Sequence, residues 1–246
     1  MPSPLVKIQP LDTGITTREQ VYGRLKRAII QMDIYDHPGE IRLDERKLSG
    51  MLGTSRTPIR LALTLLEREG LVRQEPRRGI FIVRKTKTQI IEMIVTWAAL
   101  ESMATRLAAE RASDEEIRSL WSHFRDFEDN APSSNLQEYA DANIEFHKAV
   151  IRLSGSKLIQ SLTDNLFIHM RVIRKLTIVQ DNRADHSINE HRAIIRALEQ
   201  RDVALAERLS REHVMGLAAH VEQHVSVLFR DERDDRAGTG DTIIPV

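Results

Sequence analysis

The 246-residue chain contains no cysteine, which removes disulfides and thiolate metal ligands from any account of it and is compatible with a reducing compartment. It has no run of about 18 apolar residues, the length a membrane-spanning helix requires. Its opening stretch, MPSPLVKIQP, lacks the apolar core of a secretory signal. A cytoplasmic location, with no membrane partner, is the expectation. Net charge is also absent, since 36 Lys and Arg balance 36 Asp and Glu. The balance is uneven along the chain: residues 1–88 carry 17 basic against 10 acidic side chains, leaving 19 against 26 for the rest. A basic module joined to an acidic one suits a phosphate-binding head on a separate body, although chance variation in surface charge gives similar numbers. With 41% hydrophobic and 29% charged residues, the composition is that of an ordinary globular protein with room for one large domain or two modest ones.

Three prolines and no periodic pattern mark residues 1–16 as a flexible lead-in. From Thr17 to about Met32, apolar residues at Val21, Leu25, Ala28, Ile29 and Met32 have helical spacing. His37-Pro38-Gly39 breaks the chain, and Ile41 and Leu43 fit a short strand. A second helix is predicted over Asp44 to Leu52, ended by Gly53, and a third over Arg56 to Glu69, N-capped by Ser55 and stopped by Gly70. Pro58 falls in the first turn of the third helix, where its missing N–H costs nothing. LVRQ and GIFIV then read as two short strands around Glu75-Pro76-Arg77-Arg78, sized as a wing. Beyond Thr88 the pattern is helical, with helices expected near 88–112, 114–130, 135–153, 156–179, 184–200 and 202–230. The last residues, 231–246, read as a disordered tail. The fold class is therefore mainly α: a winged helix-turn-helix over residues 17–85, followed by an all-α antiparallel bundle of about six helices over residues 88–230.

A helix-turn-helix presents polar side chains from the first turn of its second helix to the DNA major groove. Arg56, Thr57 and Arg60 project from that turn, opposite a stripe of Ile59, Ala62, Leu63 and Leu66. Arginine can grip a guanine edge with two hydrogen bonds or neutralise a phosphate, and Thr57 can do either job weakly. Arg46, Arg77 and Arg78 are spaced to bracket the same groove, and Gly79 allows close approach to the backbone. Either Arg56 or Arg60 alone would fit a solvated helix equally well. The capping serine, the first-turn proline and the glycine-bearing hairpin together distinguish the motif.

The stretch LDERKLSGMLGTSRTPIRLALTLLEREGLVRQEPRRGIFI, Leu43 to Ile82, closely resembles the winged helix-turn-helix of the GntR family of bacterial regulators. SRTPIR followed by LEREGLV and PRRGIF carries the likeness. The resemblance implies that Arg46, Ser55, Arg56, Thr57, Arg60 and Gly79 contact a double-stranded DNA operator. Leu61 departs from the family pattern, which usually has Glu there. That position is not expected among those facing the groove, so DNA binding should survive the change.

In the helical half, Asn143 and His147 are one turn apart on a single predicted helix, while His191 and His213 lie on two others. Three imidazoles and an amide oxygen from one bundle suit a divalent metal ion (Zn, Ni or Mn) with open positions for a ligand oxygen. A hydrogen-bonded, water-filled histidine cluster is the alternative. His220 and His224 share helical spacing but read as solvent-facing. Residues 88–228 also resemble the FadR C-terminal (FCD) sensor domain, through LESMATRLAAERAS, NIEFHKAV, EHRAIIRAL and the REHV segment. That resemblance implies a metal held at His147, His191 and His213 and at position 143, where the family usually has Asp. Asn143 brings no charge to offset the cation, which weakens the expected site. Many relatives carry an Arg one turn before the position of Glu101, able to clamp a carboxylate. Trp97 stands there, so the effector pocket is expected to use Trp97 and Glu101, with an effector that carries a less acidic or more apolar group or with its anion held by another cation such as Arg171 or Arg174. Ser156 replaces an Asn common in the family.

The resemblance implies a homodimer reading a roughly palindromic operator, probed by a small-molecule effector such as an organic acid, with repression relieved by ligand. Two other readings stay open at this point. One is a metal-dependent hydrolase using the three histidines, for which no general base stands at a fixed spacing. The other is a DNA-binding dimer that ignores ligands.

Overall fold

The computed structural model describes residues 18–32, 34–35, 39–127, 135–178 and 183–224. The expected lead-in (1–16) and tail (231–246) lie outside the described residues. The chain divides into two compact units that part between Thr86 and Lys87.

The first unit holds α1 (Arg18–Gln31), β1 (Arg42–Leu43), α2 (Glu45–Leu52), α3 (Arg56–Arg68), β2 (Val72–Glu75) and β3 (Gly79–Ile82). The Asp44 carboxylate accepts the Arg46 and Lys47 backbone N–H groups at 2.7 and 3.0 Å, which fixes the start of α2. Gly53 ends that helix in the left-handed region at φ 63°, where a side chain would be strained. Ser55 occupies the N-cap position of α3, yet its hydroxyl makes no capping hydrogen bond. The predicted stripe of α3 is buried throughout, and Ile59, Ala62, Leu63 and Leu66 are all 0% exposed. They meet Val21, Leu25 and Ile29 of α1 and Leu48 and Leu52 of α2 in the core. The three strands form an antiparallel sheet in the order β1-β3-β2, with Arg42 opposite Phe81 and Glu75 opposite Gly79.

The second unit is helical among its described residues: α4 (Lys87–Arg111), α5 (Asp114–Ser119), a 3-10 stretch (Leu120–Phe127), α6 (Leu136–Leu153), α7 (Lys157–Ile178), α8 (Arg183–Glu199) and α9 (Val203–His224). Its longest packing contact runs between α4 and α9. The expected helix over 114–130 differs. A capping box at Ser113 and Glu116 starts α5, but the chain tightens to 3-10 geometry after one and a half turns. Ser119 and Ser122 donate their hydroxyls to carbonyls three residues back, both at 2.6 Å, which favours the tighter winding. This stretch carries Phe124 and Phe127 onto Tyr139, at ring separations of 6.2 and 5.3 Å, inside the unit's apolar core. Ser156 has a structural role that the sequence reading lacks: its hydroxyl accepts the Ile159 N–H at 3.3 Å and caps α7. No helix among the described residues is long and apolar enough to cross a membrane.

Candidate nucleic-acid interface and metal centre

In the first unit, the buried stripe of α3 turns Arg56, Thr57 and Arg60 outward, and all three are exposed. Arg46 is exposed at the start of α2. A depression of about 290 Å³ brings Arg46, Arg56 and Gly79 together with Arg42, Asp44 and Glu45. Its floor therefore joins α2, α3 and the wing, with three guanidinium groups against two carboxylates. Glu45, which the sequence reading passed over, accepts a hydrogen bond from Arg60 Nε at 2.8 Å. That contact holds the guanidinium by its inner nitrogen, so its outer N–H groups remain directed away from α2.

At the wing, the Arg78 N–H donates to the Glu75 carbonyl at 3.2 Å and closes the turn. Arg77 lies at its tip with φ 67°, an unfavourable conformation for a residue with a side chain. Arg78 is engaged within the unit: its guanidinium pairs with Glu40 at 2.8 Å and with Glu75, and lies 5.3 Å from the Phe81 ring centroid. Those two carboxylates, Glu40 foremost, raise the Arg78 pKa further. Arg77 is thus the more available wing cation. Gly79 has φ 126°, and a Cβ there would lie 2.8 Å from Arg42 Nε.

Leu61 is 47% exposed. At about 100° per residue, the direction opposite the buried stripe falls within about 30° of Thr57, Leu61 and Thr64. Position 61 is therefore on the outward face of α3, beside the residues expected to meet DNA.

In the second unit, His147 of α6, His191 of α8 and His213 of α9 are buried, and a ring nitrogen from each lies within 4.8 Å of the others. His147 Nε2 stands 3.4 Å from both His191 Nε2 and His213 Nε2. The opposite nitrogens are all engaged. His147 Nδ1 is 2.6 Å from Glu101 Oε1, His213 Nδ1 is 2.6 Å from Glu190 Oε2, and His191 Nδ1 is 3.3 Å from the Tyr139 hydroxyl. A carboxylate at Nδ1 keeps the proton on that nitrogen and leaves the Nε2 lone pair facing inward. His147 and His213, whose Nδ1 atoms both meet carboxylates, thus face each other with Nε2 lone pairs at 3.4 Å, which repel unless a positive charge lies between them, so the donor set fits a cation.

Asn143 is fully buried one turn before His147. Its Nδ2 donates to Ser187 Oγ at 3.1 Å, and Ser187 precedes His191 by one turn. Asn143 Oδ1 has no hydrogen-bond partner among the described residues, although it is buried. A buried amide oxygen without a donor is costly, and a cation would satisfy it. The three histidines therefore fit a metal ion, and the buried Asn143 oxygen is chemically suited to join them.

Trp97 and Glu101 are both buried on α4 and bond to one another, the indole N–H donating to Glu101 Oε2. Ser210 also donates to Glu101 Oε1, at 3.4 Å. Trp97 meets the His147 ring edge-on at 4.7 Å. Both residues thus contact His147. The side chains of Arg171 and Arg174 lie outside the described residues. Of the pair read as solvent-facing, His224 is exposed, but His220 is buried and stacks on it at 4.5 Å. Glu190, Tyr139 and Ser187 were missed in the sequence. Only Glu190, adjacent to His191, left a signal there.

Comparison with known proteins follows the same division. Residues 17–82 match the family described as "Bacterial regulatory proteins, gntR family", and residues 92–216 match the "FCD domain". The chain is similar to the "Nta operon transcriptional regulator" of Aminobacter aminovorans, 30% identical over 76% of this chain and 83% of that protein. It is similar to the "Probable D-xylose utilization operon transcriptional repressor" of Paenarthrobacter nicotinovorans, 29% identical over 69% of this chain and 74% of that one. In fold it resembles E. coli McbR/YncC, with a TM-score of 0.69 at 21% identity, covering 86% of this chain and 99% of that structure. These relatives are transcriptional regulators and not enzymes, which removes the hydrolase reading. The chain belongs to the GntR family of bacterial transcriptional regulators and carries an FCD domain behind its winged helix-turn-helix.

Proposed function

We propose that the protein is a cytoplasmic homodimeric repressor of the FadR subfamily, whose grip on a palindromic operator is set by a small organic acid bound beside a metal ion in the helical unit. DNA contact falls to Arg46, Ser55, Arg56, Thr57 and Arg60, with Arg77, Arg78 and Gly79 from the wing. Two such heads on one dimer multiply half-site affinities. Ser55 suits a phosphate contact because its hydroxyl is not spent on capping. Repression agrees with the printed name of the Paenarthrobacter relative.

The observation that carries the sensing role is the convergence of three buried imidazoles, with Asn143 one helical turn before His147 and its amide oxygen buried without a hydrogen-bond partner among the described residues. His147, His191, His213 and Asn143 would hold the ion. When bound, it supplies open coordination positions for a carboxylate oxygen of the effector. Glu101, Tyr139 and Glu190 fix the ring orientations, while Trp97 closes one side of His147. The effector changes DNA affinity only by as much as it distinguishes the two arrangements of the dimer.

The test uses the chelator-treated full chain in a thermal-shift titration with Zn²⁺, Ni²⁺ and Mn²⁺, followed by gel shifts on its own promoter with and without small carboxylates. Stabilisation by a metal, lost in His147→Ala and His191→Ala, and release of DNA by a carboxylate only in the metal-loaded protein are expected. Indifference of the wild type to every metal and acid would leave a ligand-independent DNA-binding dimer. Arg56→Ala is expected to weaken operator binding about 5- to 150-fold with circular dichroism unchanged. Wild-type affinity in that variant would overturn the recognition-helix assignment.

A further inference from the structure

The most outward part of α3 is not wholly polar. Thr57, Leu61 and Thr64 share it, with Arg60 on the flank toward α2, where Glu45 holds it. Among the described residues of the first unit, Leu61 is the one large apolar side chain that is exposed, while the others of its size in α3 are buried or half-buried. It has no place in the core, since Ile59, Ala62, Leu63 and Leu66 already fill the inward stripe. Nor does it stabilise the helix through a neighbouring charge, as the family's usual Glu could.

A single exposed leucine on an arbitrary surface carries no meaning. This one is next to Arg60 and one turn from Thr57, on the helix whose first residue, Arg56, lines a depression with Arg46. Those cations select an anionic duplex as the occupant of this face. Within the major groove, the one apolar feature on a base edge is the C5-methyl group of thymine. A Glu at position 61 would instead favour the exocyclic amine of cytosine and repel nearby phosphates.

We infer that Leu61 is a specificity-determining residue that packs against a thymine methyl group in each operator half-site, selecting a T·A pair there. The inference rests on the DNA-binding reading above. Arg56, Arg60 and Arg46 supply affinity and register, whereas Leu61 supplies discrimination at one base pair. Its contact is made without hydrogen bonds, so it is insensitive to salt, unlike those of the arginines.

The test begins with in vitro selection of operator sequences by the full-length wild type and by Leu61→Glu and Leu61→Ala. Wild type is expected to recover a T·A pair at one position per half-site, and both variants to lose that preference while keeping the rest of the consensus. Each thymine of the selected operator is then replaced singly by deoxyuridine, which deletes only the methyl group. At one position the replacement should weaken wild-type binding about fourfold, the effect of one buried methyl-sized group, and leave Leu61→Ala unaffected. If wild type binds the operator yet no thymine shows a methyl effect abolished by Leu61→Ala, the inference fails and the DNA-binding reading stands. If selection recovers no sequence at all, the DNA-binding reading fails with it. Because Leu61 is exposed, both variants should unfold at the wild-type temperature, and a shared thermal transition certifies the comparison.

Discussion

Replacing Glu101 by Gln isolates the role of the outer partner of His147. Glu101 is buried and accepts three side-chain donors: His147 Nδ1 at 2.6 Å, the Trp97 indole N–H, and the Ser210 hydroxyl at 3.4 Å. Glutamine keeps the shape but offers one acceptor oxygen and one donor nitrogen. If the amide nitrogen faces His147, that ring must move its proton to Nε2, and the lone pair aimed at the other histidines is lost. If it faces Trp97, a buried indole N–H loses its acceptor at a cost of about 1–3 kcal/mol. Loss of such an outer partner typically weakens metal binding about 10- to 100-fold. At free metal about 100 times its Kd, the wild type gains about 2.7 kcal/mol from binding. A variant binding roughly 30-fold more weakly would gain only about 0.8 kcal/mol at that concentration. At about 2–4 °C per kcal/mol, the metal-induced rise in Tm should fall from roughly 5–11 °C to roughly 2–3 °C. The readout is the difference between metal-loaded and metal-free Tm for each protein, which cancels any change in intrinsic stability. An unchanged difference in Glu101→Gln would refute ligation through His147 Nε2 as Glu101 arranges it.

Three further perturbations test other parts of the structure. Glu45→Gln weakens the hold on Arg60 Nε and removes a negative charge near the groove, so operator affinity should fall while affinity for random DNA rises; fluorescence anisotropy on both duplexes measures the ratio. Gly79→Ala places a Cβ 2.8 Å from Arg42 Nε at φ 126°, and should destabilise the chain by about 1–3 kcal/mol in urea unfolding. Asp44→Ala removes the α2 cap and should lower stability by about 1 kcal/mol at neutral pH. The Lys47 backbone N–H, aided by that of Arg46, holds the Asp44 pKa below its ordinary value. Its contribution is therefore present above the ordinary carboxylate range and lost as pH falls through the depressed value, so the gap between wild type and Asp44→Ala should close in acid. A gap that widened in acid would reverse the assigned direction.

Local rules made most of the scaffold legible. The stripe Ile59, Ala62, Leu63 and Leu66 recurs at helical spacing and is buried as a block, and Gly53 and Asp44 mark the ends of α2 by their own backbone chemistry. Helix spacing also placed Asn143 beside His147. The split of residues 114–127 was not legible, because the apolar positions Ile117, Leu120, Phe124 and Phe127 suit either winding and the decision fell to two serine hydroxyls. The outer partners of the histidines were hidden for another reason. Tyr139 and His191 are 52 residues apart, and Glu190 and His213 are 23 apart, so only tertiary packing pairs them. Leu61 was legible in one respect: helical spacing places it opposite the buried stripe, and it is exposed.

The two units handle polar groups in opposite ways, and this bears on how a signal could arise. The first keeps Arg46, Arg56 and Arg60 at the surface and fills its core mainly with aliphatic residues. The second buries Glu101, Asn143 and three histidines, the kind of constellation that costs stability wherever one member goes unsatisfied. Asn143 Oδ1 is such a member. A cation that satisfies it stabilises the helical unit by an amount set by concentration and affinity, which couples that unit's stability to ligand occupancy. Replacing the cluster with apolar residues would remove the cost and, with it, the coupling. On the proposed reading, a buried polar group that a small cation can satisfy gives the helical unit a stability that depends on occupancy.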